Sequence, residues 1–230
     1  MKLPKITIAI DGYSSTGKSS FAKLLAKELG LLYLESGALY RGVTLYAQEK
    51  GLIDAEHKIS KELERELAYL ELHFGEGGQL YMGERCVEEQ IRSMKVSSQV
   101  SPIAAVAYVR HFVDERLHAM AAEESVIMDG RDIGTTVFPN AQVKIFMTAS
   151  EEVRVRRRYD ELLAKGSNPD FEEVRENLRQ RDYIDSHRET SPLSQASDAF
   201  VLDNSEMTLK EEVEWAKGLI RGKLGIYEEC

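Results

Sequence analysis

Five short apolar runs mark the chain: Ile6–Ile10, residues 31–35 (LLYLE), Val126–Met128, Val143–Met147 and Phe200–Leu202. Each is too short for a helix and apolar without alternation, the pattern of a strand covered on both faces. Four of the five are followed by helix-patterned sequence before the next run begins. That alternation predicts an α/β fold built on a parallel sheet of about five strands.

The stretches between the runs carry helical spacing. Ser20–Leu29 sets Phe21, Leu24, Leu25 and Leu29 on one side, and a helix from Ser36 to near Gly51 repeats Leu39, Val43 and Tyr46. Arg41 falls off that stripe and is either solvated or turned toward a ligand. Residues 60–74 read as a helix capped by Ser60, then a strand near Leu70–Phe74. A turn at 75–78 and short strands at Leu80–Met82 and Arg85–Val87 follow, so about 60–100 forms a small antiparallel insert of the kind that often carries substrate contacts. Ser101-Pro102 predicts a helix start with Pro in the first position, its core face running through Ile103, Val106, Val109, Val113, Leu117 and Met120. The last helix runs from the box Thr208-x-x-Glu211 to about Leu224.

Residues 150–190 differ. Arg154, Arg156, Arg157, Arg158, Arg175, Arg179, Arg181 and Arg188 are interleaved with acids, and apolar positions are few. Two helices fit, split by Lys165–Pro169, the second opening at Asp170-x-x-Glu173. The hairpin is either a salt-bridged surface element or a mobile lid that closes over phosphates.

Composition narrows the setting. An apolar fraction of 43% over 230 residues supports a real core, and a net charge of −9 argues against broad nucleic-acid binding. No stretch approaches the ~20 apolar residues of a membrane span. Cys86 and Cys230 have no metal-ligand spacing and are expected to be free thiols in a reducing compartment. Met1–Lys5 leads straight into the first run, so no leader peptide is expected and a cytoplasmic location follows.

The first run decides the chemistry. Gly12-x-x-x-x-Gly17-Lys18-Ser19 follows it at once and opens a helix, the order a phosphate loop needs. Gly12, Tyr13, Ser14, Ser15, Thr16, Gly17, Lys18, Ser19 and Ser20 are therefore expected to cradle the phosphates of a nucleoside triphosphate, with Lys18 on the β- and γ-phosphates and Ser19 on Mg²⁺. Asp129 follows a buried strand at the sheet end where ligands bind, and can hold Mg²⁺ with Ser19; the alternative is a solvated Asp-Gly turn. Arg131 can pair with an acceptor phosphate. Arg181, Asp185 and Arg188 share one helix face, so they either bind phosphate and a ribose hydroxyl or form an intrahelical ion pair. No catalytic base is evident. A hydroxyl acceptor usually wants one, whereas a monophosphate is already an anion at neutral pH, which points to a phosphate acceptor.

These stretches resemble the bacterial cytidylate kinase family. The likeness is carried by GYSSTGKSS, Glu35–Arg41 (ESGALYR), Glu89–Arg92, Ser101, Arg110, Asp129–Thr135 (DGRDIGT) with Val137-Phe-Pro, and Arg181-Asp-x-x-Asp-x-x-Arg188, and it spans Ile6 to about Leu224. It implies a three-layer P-loop NTPase fold in a single kinase chain: core 1–59, 101–150 and 190–230, a small α+β insert at about 60–100 binding the nucleoside monophosphate, and a helical lid at about 151–189. It implies phosphorylation of CMP or dCMP by ATP with Mg²⁺. A monomer with neither nucleic-acid nor membrane partners is expected. By position, Ser101, Arg110 and Asp132 would read cytosine with Ser36 near the base. Arg41, Arg131 and Arg188 would hold the acceptor phosphate with Arg181 beside them, Asp185 would meet the ribose, and Arg157 and Arg158 would belong to the lid. Lys18, Asp129, Arg131, Arg181 and Arg188 form the expected catalytic set. Where the family's loop carries Pro and then Gly, this chain has Tyr13 and Ser15, so altered loop rigidity is expected. Two other classes stay open: a P-loop kinase for another small acceptor, and a nucleotide-binding switch, although the Asn-Lys-x-Asp of a GTPase is missing.

Overall fold

A computed structural model describes residues 5–75, 77–122 and 124–225. Five parallel strands form the central sheet in the order β2-β6-β1-β7-β8: β1 Thr7–Gly12, β2 Leu32–Glu35, β6 Val126–Asp129, β7 Val143–Thr148 and β8 Phe200–Asp203. The expected α/β class, parallel sheet and strand positions are all present. Side chains of β1 alternate between two cores. Ile8 and Ile10 join Phe21, Leu25, Val213 and Ile220 on the face covered by α1 Lys18–Leu29 and α8 Leu209–Leu224. Ala9 joins the opposite core with Leu39, Val43, Val109 and Leu117 from α2 Ser36–Glu49 and α5 Ala107–Ala121. Burial on both faces is why these strands read as unbroken apolar runs.

Between α2 and β6 lies α3 Leu63–Glu66, a single turn, then an antiparallel sheet of β3 Leu72–Phe74, β4 Leu80–Met82 and β5 Arg85–Cys86. The helix expected from residue 60 is thus cut to one turn plus a 3₁₀ turn at Leu67–Tyr69. Leu63, Leu67 and Leu70 are all buried, but the chain turns extended at Leu70 to reach β3. Ser60 does not cap the shorter element: Glu62 holds the cap position without a side-chain bond, and Ser60 Oγ accepts from the Glu62 N–H at 3.2 Å in the turn before it.

The helix start expected at Ser101-Pro102 is not there. α4 spans Met94–Ala104, capped by Ser93, whose hydroxyl accepts from the Val96 N–H at 3.3 Å. Pro102 sits in its last turn, the chain leaves the helix at Val106, and α5 begins at Ala107. Buried Val96, Val100 and Ile103 hold α4 through residue 100, so packing overrides the local proline signal. Ser101 therefore lies on the final turn of α4. α1 starts at Lys18, two residues before its sequence-level boundary, behind Gly17 at φ 94°.

The arginine-rich segment is the helical hairpin expected: α6 Glu151–Ala164 and α7 Phe171–His187, the latter capped by Asp170. It has its own small core of Val155, Leu162, Val174 and Leu178. Its arginines divide by face. Arg175 and Arg179 pair with Glu151 on the outside, while Arg154, Arg157 and Arg158 turn toward the phosphate loop and its cavities. The salt-bridged surface element describes the outer side of the hairpin, and the inner side carries the arginines that face the phosphate loop.

At the far end, Thr208 and Glu211 form the reciprocal capping box of α8. Thr208→Ala is expected to cost about 1 kcal/mol of stability in urea unfolding, with activity unchanged. Cys86 is an exposed free thiol; Cys230 lies outside the described residues. Among the described residues no helix is long and apolar enough to cross a membrane.

Candidate active site

The phosphate loop hangs between β1 and α1 at the C-terminal edge of the sheet. Gly12 has φ 147°, and a Cβ there would overlap the Met147 carbonyl oxygen of β7, so only glycine lets the two strands close up. Lys18 opens α1 and is buried; its Nζ donates to the Tyr13 carbonyl at 2.6 Å and to Thr16 Oγ1 at 3.3 Å. Burial, then repulsion from Arg131, lowers its pKa well below that of an ordinary lysine. Both effects are relieved by an anion placed beside it.

The unusual Tyr13 has a place. Its ring meets Phe146 edge-on at 5.8 Å, and the Arg154 guanidinium lies 5.4 Å from the ring centre. Ser14 is tied on every polar group. Its N–H donates to Asp182 Oδ1 at 2.9 Å, its carbonyl accepts from Arg154 at 3.2 Å, and its hydroxyl accepts from Arg131 at 3.0 Å. Arg154 also pairs with Asp182. The loop's first half is thus anchored by the hairpin, and Ser15 is held at φ 59°, a left-handed conformation that glycine would adopt more easily.

A cavity of about 320 Å³ opens in front of Lys18. Ser15, Gly17, Lys18, Ser19, Ser20, Ser36, Arg41, Ser101, Arg110, Asp129, Arg131, Asp132, Arg158, Arg181, Asp185 and Arg188 all line it. Its deep end is a buried charge cluster. Asp132 accepts from Arg110 on one carboxylate oxygen and from Arg188 at 3.1 Å on the other. Tyr40 lies under Arg110 with 5.3 Å from ring centre to guanidinium. Asp185 Oδ2 accepts from Arg131 Nε at 2.9 Å. Burial alone would raise the Asp185 carboxyl, but Arg131, Arg181 and Arg188 hold it below the usual range.

Two arginines of the cavity have no direct carboxylate partner among the described residues. Among the described residues Arg41 hydrogen-bonds to the Ile91 carbonyl and the Ser97 hydroxyl, at 3.2 and 2.9 Å. Arg181 has a buried Nε with no hydrogen-bond partner. Among the described residues neither forms a salt bridge. Burial, then mutual repulsion with other arginines, brings Arg41 down to about 9 and Arg181 down to about 10. Both stay cationic at neutral pH; Glu35 favours the charge on Arg41, and Asp185 and Asp182 that on Arg181, but among the described residues no carboxylate pairs directly with either, which leaves room for a bound phosphate.

Where α1 meets the end of β6, Asp129 Oδ2 accepts from Ser19 Oγ at 2.9 Å and Oδ1 from the Tyr33 hydroxyl at 2.8 Å. Burial, then Glu35, pushes the Asp129 carboxyl up to about 6. A hydroxyl and a desolvated carboxylate side by side are hard oxygen donors of the kind Mg²⁺ takes, with phosphate and water completing its shell. The donor set fits the cation.

A second cavity of about 400 Å³ lies on the other side of the loop, lined by Thr16, Arg157, Asn204, Met207, Leu209 and Glu212 among others. Both cavities have Ser15, Gly17, Ser20 and Arg158 in their walls, so they meet over the phosphate loop. Arg157 donates to the Thr16 carbonyl at 3.1 Å and to Asn204 Oδ1 and carbonyl at 3.0 and 2.9 Å. Asn204 Nδ2 donates to the Thr16 carbonyl and to Glu212, each at 2.8 Å. Arg158 reaches Glu161 at 2.8 Å and stands between the cavities.

Of the residues expected to bind nucleotide or metal or to act in catalysis, Gly12, Tyr13 and Ser14 line neither cavity; the rest line one or both. The reading missed Tyr33, Asn204 and Glu212. Asn204 follows the last strand at the same sheet edge as the phosphate loop, and the strand-end rule would have pointed to it.

A phosphate loop at the junction of two cavities is the layout of a P-loop kinase, and fold and site together put the chain in that class. Its sequence matches the cytidylate kinase family over residues 8–221, and the chain belongs to that family. A cytidylate kinase of Bacteroides fragilis is 51% identical over 218 residues, covering 93% of this chain and 95% of the relative. One from Parabacteroides distasonis is 49% identical over the same shares of both chains. A solved structure of an uncharacterized protein from Eubacterium ventriosum matches the fold with a TM-score of 0.52 at 13% identity, covering 95% of this chain and 99% of that one.

Proposed function

We propose that this chain transfers the γ-phosphoryl group of ATP to CMP and dCMP, giving CDP and dCDP. The observation that carries the acceptor side is the buried pair Arg41 and Arg181, neither of which has a direct carboxylate partner among the described residues, a setting that suits a phosphate dianion. An acceptor phosphate oxygen attacks the γ-phosphorus, the bond to the β,γ-bridging oxygen breaks, and ADP leaves. No base is required, because the attacking oxygen is already anionic. Lys18, Arg131, Arg181 and Arg188 hold charge on the moving group, and Arg41 fixes the acceptor phosphate. Ser19 and Asp129 would hold Mg²⁺, which neutralises charge on the β- and γ-phosphates when bound.

Base choice falls to Asp132. A carboxylate offers about four lone-pair sites, and its two arginines occupy two of them. The remaining acceptor capacity suits the N4 amino group of cytosine and repels O4 of uracil. Ser36, Ser101 and Arg110 complete that end, and Asp185 takes the ribose. On this reading about 60–100 is the acceptor-binding insert and 151–189 the lid. The reading includes a monomer working in the cytoplasm.

The test is a comparison of CMP, dCMP, UMP and AMP as acceptors with ATP; a preference for AMP, UMP or a non-nucleotide would overturn the proposal. The donor side has its own check. Arg157→Ala is expected to raise KM for ATP about tenfold, roughly 1.4 kcal/mol, with KM for CMP unchanged in a coupled ADP-release assay. Equal change in both would remove Arg157 from the donor cavity.

A further inference from the structure

The reaction as proposed leaves the buried carboxylate of Asp11 without a task. Asp11, the last residue of β1 before Gly12, is 5% exposed. It faces a turn 122 residues away in sequence: Oδ1 accepts from the Ile133 N–H at 2.8 Å and Oδ2 from the Gly134 N–H at 2.7 Å. These are the first two amides of the π-helical turn Ile133–Val137, the donors that a helical start leaves without internal partners.

The residue that precedes the turn is Asp132. Its carbonyl accepts from the Thr136 and Val137 amides at 2.9 and 3.1 Å, so it holds the cap position. An aspartate there ordinarily spends its own side chain on the first amides. Here it does not: the Asp132 carboxylate makes no capping bond and goes to Arg110 and Arg188 instead. The capping is done from β1 by Asp11.

We infer that Asp11 is a positioning residue for acceptor selectivity: by capping the Ile133–Val137 turn in place of Asp132, it frees the Asp132 carboxylate to face the acceptor base. The inference rests on the proposed role of Asp132 in base reading. It gives the strand that feeds the phosphate loop a second duty, fixing the loop that reads the base. Gly134 packs close on this contact, since a Cβ there would sit 3.3 Å from Asp11 Oδ2. Burial pushes the Asp11 carboxyl up to about 6 against the lowering effect of its two amide bonds. Those two bonds are what hold an anion in so desolvated a place.

Asp11→Asn keeps the size but offers one acceptor and turns an amide donor against the second N–H. The CMP-over-UMP ratio of kcat/KM is expected to fall about tenfold while KM for ATP stays within about twofold. In an Asp132→Asn background the same change is expected to alter the ratio no further, because the two residues act in one chain of contacts. An unchanged ratio for Asp11→Asn beside a lowered ratio for Asp132→Asn would overturn the inference alone. So would a loss that falls equally on ATP and CMP, or a lowered Tm with selectivity intact. An unchanged ratio for Asp132→Asn would overturn the base reading, and the inference with it. Should Asp11→Asn fail to fold, the wild-type enzyme still decides. Ile133 and Gly134 amides are expected to exchange at least about 100-fold more slowly than free amides. Exchange at the unprotected rate would overturn the capping contact.

Discussion

Lys18→Ala is expected to lower kcat by about 10³-fold, around 4 kcal/mol of transition-state stabilisation, with a much smaller rise in KM for ATP. The asymmetry follows from where the ammonium sits. Its Nζ is held by the Tyr13 carbonyl and Thr16 Oγ1, and it lines the cavity that also contains Arg131, Arg181 and Asp185. On the proposed reading ATP would be gripped by more than this one residue, since backbone amides of the loop and the start of α1 would also face its phosphates. The charge that shifts onto the bridging oxygen as ADP leaves has fewer partners, and a desolvated cation is worth most there. Burial and Arg131 depress the Lys18 pKa, and a phosphate bound beside it would favour the charged form. Lys18→Met, apolar and similar in length, is expected to match the alanine variant; near wild-type turnover by either would remove Lys18 from the reacting centre. Lys18→Arg is expected to recover only part of the rate, because a planar fork cannot reproduce a point charge in a closed loop.

The sequence carried the sheet because burial on both faces leaves a signature in each strand, and it carried the phosphate loop because spacing and glycines are local. Arg41 was visible as the residue off the apolar stripe of α2. The α4–α5 boundary was hidden, since Ser101-Pro102 imitates a helix start while Ser93 supplies the real cap and Val96, Val100 and Ile103 hold the helix onward. The division of hairpin arginines into an outer ion-paired face and an inner face is a matter of helical phase: Arg154, Arg157 and Arg158 share one side, which their composition alone conceals. Asp11 was beyond sequence reasoning. Its partners are backbone amides 122 and 123 residues away, and a backbone amide has no residue-specific signature to find. Tyr13 and Ser15, the departures from the family's loop, are partly explained: Tyr13 packs on Phe146 and Arg154, whereas nothing in the structure explains a serine rather than glycine at φ 59°.

Asp132→Asn is the second change expected to act strongly, and on a different quantity: the preference for CMP over UMP should fall about 30-fold, or roughly 2 kcal/mol. The carboxylate sits 3% exposed between Arg110 and Arg188. Asparagine keeps the volume but presents one acceptor and one donor. Cytosine then loses its charged acceptor, and uracil O4 meets an amide N–H in place of a negative oxygen. Loss for the first and gain for the second add in the ratio. Stability changes too, because two buried guanidiniums lose their shared anion; about 2 kcal/mol is expected from the hydrogen bonds to charge alone. Loss of stability by itself would lower CMP and UMP turnover in parallel. The selectivity ratio at a temperature well below the variant's Tm therefore separates base reading from structural support, and a ratio within twofold of wild type would show that Asp132 serves only to hold Arg110 and Arg188 in place.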